Sequence, residues 1–557
     1  MAETTEPEKL NLSPETQVLI ERYESGLEEK KAGEDVVNTI NVDTIASKIA
    51  EFYEKLRMII DWKDEHLIRR TAIERSLKRR FLSELGNGEG ANLDLVQVAE
   101  SLLMELIRAG HFPNNTLPRE KIGEVGDILA KYKFILENAG GLSSAEQGAK
   151  NRVNFYHWLL EVAACEVEDL LDPAIKENAL IDYMTVQLSK RLRVDPSIDI
   201  TEKEKETQLF IAVHRALFRL DSPIIAYYLL KKWHPGWNTL EDPQLRAISN
   251  SIIEEWHLIE SLFEHPQYSE FYKVCERYDT YYLLLGDIFD QLEEKDSTEE
   301  LEDKLKDPEE LEKETRVAYK KRAETLRSRL TRIATYSTLS IFVAGAFSLF
   351  LVEVPLARLI AGRFSPLALV VDLGVPTLIM YLLVGTAHPP EEDNLERVLE
   401  GMKKMVYAEL DWGIYEITAK KKRGFWGRFF ITLLYFFIWT VSLSAVVAAF
   451  YFAQVPLPSV VLDTMNVAIV TFAGIEIRQR AGELRVDEGK TRVIDFIFDT
   501  FSLPVAKFGK WLSEKWKEYN IVSVFFTALI DMPFLGFIQL IESWSAFLKE
   551  KKSGMYS

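Results

Sequence analysis

The chain has 557 residues, too many for a single hydrophobic core, so we expect more than one structural unit. Its formal net charge of -19 argues against wholesale nucleic-acid binding, because neutralising phosphates takes clustered cations. The two cysteines, Cys165 and Cys275, are too few for a disulfide framework and fit a reducing compartment, where free thiols pack as small hydrophobic groups.

The N-terminal residues 1–41 are mostly charged and polar, with one short helical pattern from residue 14 to 29. Such a composition favours a flexible arm. Since no basic stretch followed by an apolar one occurs here, we also expect no cleavable signal.

Residues 42–292 carry apolar side chains at spacings of three and four, the pattern of amphipathic helices. The breaks between these helices contain turn residues, as in GNGEG (86–90), VDPS (194–197) and HPGWN (234–238). Strand-type alternation is nearly absent. The sequence therefore predicts a large soluble, all-α cytoplasmic domain over this range.

Residues 293–332 form a charged segment of two parts. The first part, to residue 315, has many acids and few apolar residues, which predicts a solvated linker helix. The second part, RVAYKKRAETLRSRLTR (316–332), is a basic collar directly before the first long apolar run.

Four apolar segments have the length of about 20 residues that a hydrocarbon core of about 30 Å requires. They are 333–352, 366–385, 429–453 and 457–477. They predict two transmembrane hairpins, 333–385 and 429–477, joined by a cytoplasmic amphipathic loop over 386–428. The fold class is thus an all-α, polytopic membrane protein.

The cations flanking these segments predict the orientation. KKKRGFWGR (420–428) and RQRAGELR (478–485) lie on the same side as the basic collar, whereas the opposite loops contain few cations. The positive-inside rule therefore places both termini in the cytoplasm and the protein in a cell membrane. Without an organellar targeting segment, a prokaryotic membrane is the simplest assignment.

The two hairpins resemble each other in sequence. TLSIFVAGAFSLFLVEVPL (338–356) aligns with SLSAVVAAFYFAQVPL (442–457), and an aspartate follows early in the next span, Asp372 in one hairpin and Asp463 in the other. A duplicated hairpin is a hypothesis, because short apolar stretches match easily by chance.

Asp372 and Asp463 are the candidates for an intramembrane polar site, together with Asn466 one turn further on. An aspartate at mid-membrane costs on the order of 2 to 3 kcal/mol, so neither carboxylate should face lipid. Proton or cation handling is one interpretation, and hydrogen-bonded helix packing is the other. Gly374 and Pro376 are helix-kink candidates and suit either interpretation.

The C-terminal residues 478–557 predict cytoplasmic and interfacial helices. Aromatic and basic residues alternate there in the manner of a helix at the headgroup level, and the expected anchors are Trp511, Trp516, Lys507, Lys510, Lys515 and Lys517. Residues 521–540 are apolar but interrupted by Asp531 and by Pro533, a third helix-kink candidate. We favour a re-entrant or interfacial segment over a fifth span, which would leave KEKK (549–552) outside.

Motifs for chemistry are lacking. The chain contains no phosphate-binding loop, nucleophile elbow, HExxH or paired CxxC. Glu254 and His257 in EEWHLIE have the spacing of metal ligands, but a bundle di-iron site needs more such residues. RRTAIERSLKRR (69–80) is a basic patch that fits either an acidic partner or a solvated helix face. We therefore expect no enzyme, no cofactor and no metal.

The functional hypothesis is a scaffold: a membrane-anchored cytoplasmic platform for interaction and assembly. Its expected partners are membrane lipids and a cytoplasmic protein or a second copy of the chain, and no nucleic acid. The alternative is an oligomeric transporter, or a component of an ion or proton channel, that uses Asp372 and Asp463. A membrane enzyme ranks last because no catalytic constellation supports it.

Overall fold

The structure, a computed structural model, describes eleven longer stretches of the chain, three short ones and a few isolated positions. They are residues 10–34, 38–42, 65–85, 94–139, 146–240, 242–294, 301–348, 366–385, 392–408, 413–418, 424–455, 457–480, 484–486 and 493–518. These residues are mostly helical, which confirms the all-α prediction. The predicted re-entrant segment 521–540, with Pro533, lies outside the described residues apart from Leu540.

The helices up to the end of the predicted soluble domain are numbered in chain order. They are α1 Pro14–Glu34, α2 Glu65–Leu85, α3 Leu95–Arg108, α4 Lys121–Asn138, α5 Glu146–Leu171, α6 Ile175–Arg191, α7 Glu202–Phe218, α8 Ser222–Trp233, α9 Asp242–Phe263 and α10 Tyr268–Glu294. The later helices are α11 Leu301–Lys306, α12 Pro308–Ser348, α13 Pro366–Gly385, α14 Glu392–Val406, α15 Phe425–Phe452, α16 Leu457–Arg480 and α17 Val493–Glu518.

The chain divides into two compact units. The first comprises Met1–Thr16, Leu192–Asp199 and Glu276–Phe525, and the second comprises Gln17–Arg191, Ile200–Cys275 and Phe526–Ser557. Each unit is described separately below.

The second unit is a bundle whose helices begin at well-formed caps. Asp94 accepts hydrogen bonds from the backbone at the start of α3, and Thr201 with Glu204 forms a capping box at the start of α7. In the bundle α2 packs on α5, α3 on α4, and α4 on both α5 and α9. Its core consists of large apolar side chains such as Phe155, Leu159 and Ile252.

The flexible arm predicted for residues 1–41 is wrong over the described part of that range. Leu19, Ile20 and Tyr23 of α1 are buried in the second unit. Residues 10–13 are bonded in the first unit, where the Ser13 amide donates to the Val406 carbonyl at 2.9 Å. A few apolar residues on one helix face are enough to order a segment whose average composition is polar.

The first unit contains α11, α12, α14 and the later part of α10. Leu301, Leu305 and Leu311 are buried, so the acidic segment after residue 293 is not the solvated linker that its composition predicts. The leucines pack while the acids between them stay near solvent. A short two-stranded parallel sheet, β1 Leu192–Val194 with β2 Tyr415–Ile417, also belongs to this unit and pairs Leu192 with Tyr415.

The apolar helices of the first unit pack as a group. Helix α12 packs on α14 and on α13, α13 packs on α16, and α15 and α17 each pack on α16 and on each other. Helix α12 is continuous over 41 residues, from an acidic first turn through the basic collar into the apolar stretch after Arg332.

Two helices within the described residues are long and apolar enough to cross a membrane. They are α15 (Phe425–Phe452) and the Val460–Arg478 part of α16, while Val370–Gly385 in α13 is a shorter apolar stretch. Core helices of soluble proteins can pass the same test of length and composition. The structure is therefore weakly consistent with membrane association, and the four-span arrangement stays a prediction.

Candidate functional site

The surface of α15 is apolar on all sides, and little of it is covered. Only 6 % of the most apolar 18-residue stretch of α15 is buried, against 50 % of the corresponding stretch of α16. Phe430, Phe436 and Phe437 are each about 60 % exposed. Soluble monomers rarely expose a contiguous apolar patch of more than a few hundred Å², and an uncovered apolar surface of this kind is typical of helices that contact lipid or a partner.

The packing of α13 on α16 fixes the register of the two helices. Gly474 lies against Leu383, because a Cβ on Gly474 would be 2.7 Å from Leu383 Cδ1. Val371 and Val375 pack at the other half of the contact, against the apolar cluster that includes Val460 and Val467. Residues early in α13 thus lie near residues early in α16, and late residues lie near late residues. The two helices therefore run parallel.

This register brings the two predicted aspartates to the same level. Asp372 precedes Leu383 by 11 residues, and Asp463 precedes Gly474 by the same number. About 10.8 residues make three helical turns, so each aspartate lies on the face of its helix that points to the other helix. Both are buried, with 9 % of Asp372 and 5 % of Asp463 exposed.

The other residues predicted near this pair are placed differently. Asn466 is exposed, so it does not share the buried face with Asp463. Pro376 is buried inside α13, which continues through it. Because proline has no backbone N–H, it cannot donate to the carbonyl four residues earlier, that of Asp372. Gly374 is exposed and has open space around it.

The C-terminal helix α17 packs along α15 and α16. Val505, Ala506 and Leu512 are buried, and Gly509 lies against the backbone of Ala468. The Lys507 ammonium is 4.8 Å from the centroid of the Tyr435 ring. These contacts tie α17 directly to the apolar helices.

The predicted anchors on α17 mostly lie on its exposed side. Trp511 is 53 % exposed and stacks on Phe508 at 5.8 Å, and Lys510 and Lys515 are exposed. The side chains of Trp516 and Lys517 lie outside the described part. Anchoring of these residues in the headgroup region stays a prediction.

Sequence reasoning missed a buried polar network in the second unit. The Lys131 ammonium donates to Glu166 Oε1 at 2.5 Å and to the Trp237 carbonyl at 2.8 Å. Tyr132 and the Trp237 indole donate to Glu166 Oε2 at 2.8 and 2.9 Å. Burial lowers the pKa of Lys131 and raises that of Tyr132 well above its usual range. The donors and acceptors match, so the network stabilises the bundle.

The basic patch of α2 is largely neutralised within the second unit. Lys78 pairs with Glu74 at 2.7 Å and with Glu161 of α5 at 3.1 Å. The patch arginines 69, 70, 79 and 80 also pair with carboxylates of the unit, namely Glu168, Asp172, Asp221 and Glu105. This pairing favours the solvated-face interpretation over an acidic partner.

The remaining sequence candidates show no site chemistry. Glu254 and His257 are both exposed, and His257 stacks on Trp256. Among the described residues no cluster of three metal-ligating side chains occurs. Cys165 and Cys275 are buried and form no disulfide, and burial raises the pKa of Cys165 well above its usual range.

No protein-family model matches the chain, and no match is found among curated proteins or among solved structures.

Proposed function

We propose that this protein is a multi-pass membrane protein whose helical cytoplasmic part is an assembly platform. The observation that carries the proposal is the uncovered apolar surface of α15, which water does not solvate favourably and a bilayer does. With the cations flanking each predicted span, the positive-inside rule puts both termini in the cytoplasm.

The organisation of the second unit supports a platform. Its polar core around Glu166 is closed, and its basic helix α2 is neutralised internally. A well-ordered bundle without a metal cluster in its described residues suits a binding surface better than a reaction centre. The predicted loops on the far side of the membrane are too short to bind a partner, so the partner binds from the cytoplasm.

A second function is favoured by the register of α13 and α16. It is an oligomeric transporter, or a component of an ion or proton channel. Two carboxyl groups at one level on facing sides of parallel helices repel each other when both are charged, and a proton or cation between them would relieve the repulsion. Four spans are few for a monomeric carrier, so this function needs several copies of the chain.

One experiment separates the two functions. The full-length protein and the Asp372→Asn, Asp463→Asn double variant are purified from native membranes after mild crosslinking and are also reconstituted in liposomes. For a platform, both forms recover the same stoichiometric protein partner, and neither conducts ions or protons. Purification of the wild type without any stoichiometric partner would contradict the platform function.

A transporter or channel would give the opposite result in the flux measurement. The wild type then carries a flux of protons or cations, and the double variant loses it while remaining folded by thermal unfolding. A variant that does not fold indicates that hydrogen bonds of the carboxylates hold the helices together, and the packing interpretation then replaces the second function.

A further inference from the structure

The C-terminal helix α17 comes closest to α16 at the middle of that helix. A Cβ on Gly509 would meet the backbone of Ala468, so the two helix backbones touch there. Ala468 lies eleven residues after Leu457, where α16 begins, and twelve before Arg480, where it ends. At 1.5 Å per residue, these separations are about 16 Å and about 18 Å. Gly509 therefore lies close to the midpoint of α16.

Helix α15 also meets α17 well inside its own length. The Lys507 ammonium is 4.8 Å from the centroid of the Tyr435 ring. Tyr435 lies ten residues after Phe425, where α15 begins, a rise of about 15 Å. Val505 and Phe508 pack in an apolar cluster with residues of α15 and α16. The contacts of α17 are thus with the interior of both apolar helices.

The start of α17 is held on the side of the basic collar. Asn394 of α14 donates to the Tyr319 hydroxyl at 3.1 Å, and the Val486 amide donates to Asn394 Oδ1 at 3.1 Å. Tyr319 lies fourteen residues before Ile333, where the apolar stretch of α12 begins, a distance of about 21 Å. The seven residues from Val486 to Val493 span at most about 25 Å. Helix α17 therefore begins near the collar end of the apolar helices.

These distances are incompatible with an interfacial α17 if α15 and α16 are spans, as the proposed function has it. The midpoint of a span lies about 15 Å from either boundary of the hydrocarbon. A helix at the headgroup level lies parallel to the surface and does not reach that depth. The sixteen residues from Val493 to Gly509 give a rise of about 24 Å, which is enough to reach the middle.

The side chains of α17 suit such a depth better than its lysines suggest. Phe501, Leu503 and Trp511 are exposed apolar residues on α17. The Lys507 ammonium lies over an aromatic ring, and a cation–π contact offsets part of the cost of a cation in hydrocarbon. Because helical side chains point toward the N-terminus, the long stem of Lys507 also carries its charge toward the collar side.

We propose that α17 is inserted in the hydrocarbon beside α15 and α16 and reaches its middle at Gly509. Its exposed face around Phe501, Leu503 and Trp511 then contacts acyl chains, whereas an interfacial helix would present these residues to headgroups. The inference rests on the membrane placement in the proposed function but not on the platform role.

The test measures the depth of α17 in vesicles of phosphatidylethanolamine and phosphatidylglycerol. The full-length protein carries one nitroxide on Leu503→Cys or on Lys510→Cys, two exposed positions seven residues apart on one helix face. Accessibility to oxygen, relative to a nickel chelate, reports the depth of each label. An inserted helix places the label at position 510 about 10 Å deeper than the label at 503, and a helix parallel to the surface places both at one depth.

A second variant separates insertion from the loss of a charge. Trp511→Cys keeps both Lys507 and Lys510, and its label should lie within about 5 Å of the depth found at position 510. A label at 511 that is as shallow as the label at 503 would overturn the proposal, because insertion would then require the removal of Lys510.

Two labels on α15 calibrate the depth. Val441→Cys is level with Ala468, since each position is eleven residues from the facing ends of α15 and α16. Trp426→Cys lies at the start of α15, about 22 Å from Val441 along the helix. We expect the label at 510 to match that at 441 within about 5 Å and to lie at least about 10 Å deeper than that at 426.

The calibration also distinguishes the two proposals. A deep label at 441 together with labels at 503 and 510 as shallow as that at 426 would overturn the insertion of α17 alone. A label at 441 as exposed to the nickel chelate as that at 426 would contradict the membrane placement and, with it, this inference.

Discussion

Some buried polar side chains of the second unit are matched by a single close partner. His214 in α7 shows this most simply: it is 2 % exposed, and its Nδ1 is 2.7 Å from the Phe210 carbonyl. Burial lowers its pKa to about 4, since the charged imidazolium loses its hydration there. The histidine is therefore neutral in the folded protein at pH 5 to 7.

His214 predicts a loss of stability on acidification. The unfolded chain binds a proton at this residue near pH 6.5, and the folded protein binds it only near pH 4, so the folded state is disfavoured as the pH falls between these values. The loss amounts to about 3 kcal/mol in the free energy of unfolding. His214→Gln, which does not titrate, should remove this part of the pH dependence measured by chemical denaturation.

The exposed His257 supplies the control for that measurement. His257→Gln should keep the full acid-induced loss, because the change leaves the buried imidazole of His214 in place. If the free energy of unfolding of His214→Gln fell between pH 6.5 and 4 as steeply as that of the wild type, the prediction of a neutral buried histidine would be wrong.

At the scale of elements, α17 is held to α16 by backbone proximity. A side chain on Gly509 would meet the carbonyl of Ala468, and a backbone group cannot move away as the end of a flexible side chain can. Gly509→Ala should therefore destabilise this contact by about 1 to 3 kcal/mol. This loss exceeds the gain from the higher helix propensity of alanine. Thermal unfolding in detergent and protease cleavage within Val493–Glu518 measure the effect.

Gly374 in α13 is the matched glycine. A Cβ there meets no atom within 4 Å, so Gly374→Ala should be neutral or stabilising by up to about 1 kcal/mol. Equal destabilisation by the two alanines would show that helix flexibility, and not close approach, determines the effect at Gly509.

The apolar helices could be predicted from the sequence because charge and proline bound their hydrophobic runs. The predicted span 366–385 coincides with α13, and 457–477 falls within α16. The resemblance of the hairpins predicts a similar depth for Asp372 and Asp463, and this stays a prediction. Asn466 was misjudged, since spacing along a helix does not reveal which neighbours cover each face.

Other features depend on contacts between distant parts of the chain. Lys131 meets Glu166 35 residues away and the Trp237 carbonyl 106 residues away, and no local pattern signals either contact. The same holds for the pairing of β1 with β2. The buried Leu301 and Leu305 were missed because the surrounding acids dominate the local composition.

At the scale of the whole molecule, a charged substitution on the apolar surface of α15 has different expected costs in water and in lipid. Phe436 is 59 % exposed, so Phe436→Asp would cost little in a soluble protein. In a membrane span the same change costs about 2.5 to 3.5 kcal/mol near the helix centre. We expect the variant to insert α15 less completely, measured by protease cleavage of that helix in membrane vesicles.

Leu258 of α9 is the matched apolar residue, 50 % exposed on the soluble bundle. Leu258→Asp should leave insertion unchanged and alter stability by no more than about 0.5 kcal/mol. A Phe436→Asp protein that inserts α15 like the wild type would contradict the assignment of α15 as a span.

The unbroken course of α12 has a mechanical consequence. A helix of 41 residues is about 60 Å long, and a helix without a kink behaves as a stiff lever over that length. If its apolar end spans a bilayer, as the proposed function has it, thinning or thickening of that bilayer changes the tilt of the helix. A change of 10°, pivoting at that end, swings the acidic end sideways by about 10 Å, so bilayer thickness would be transmitted to the residues that contact Pro308 and its first turn.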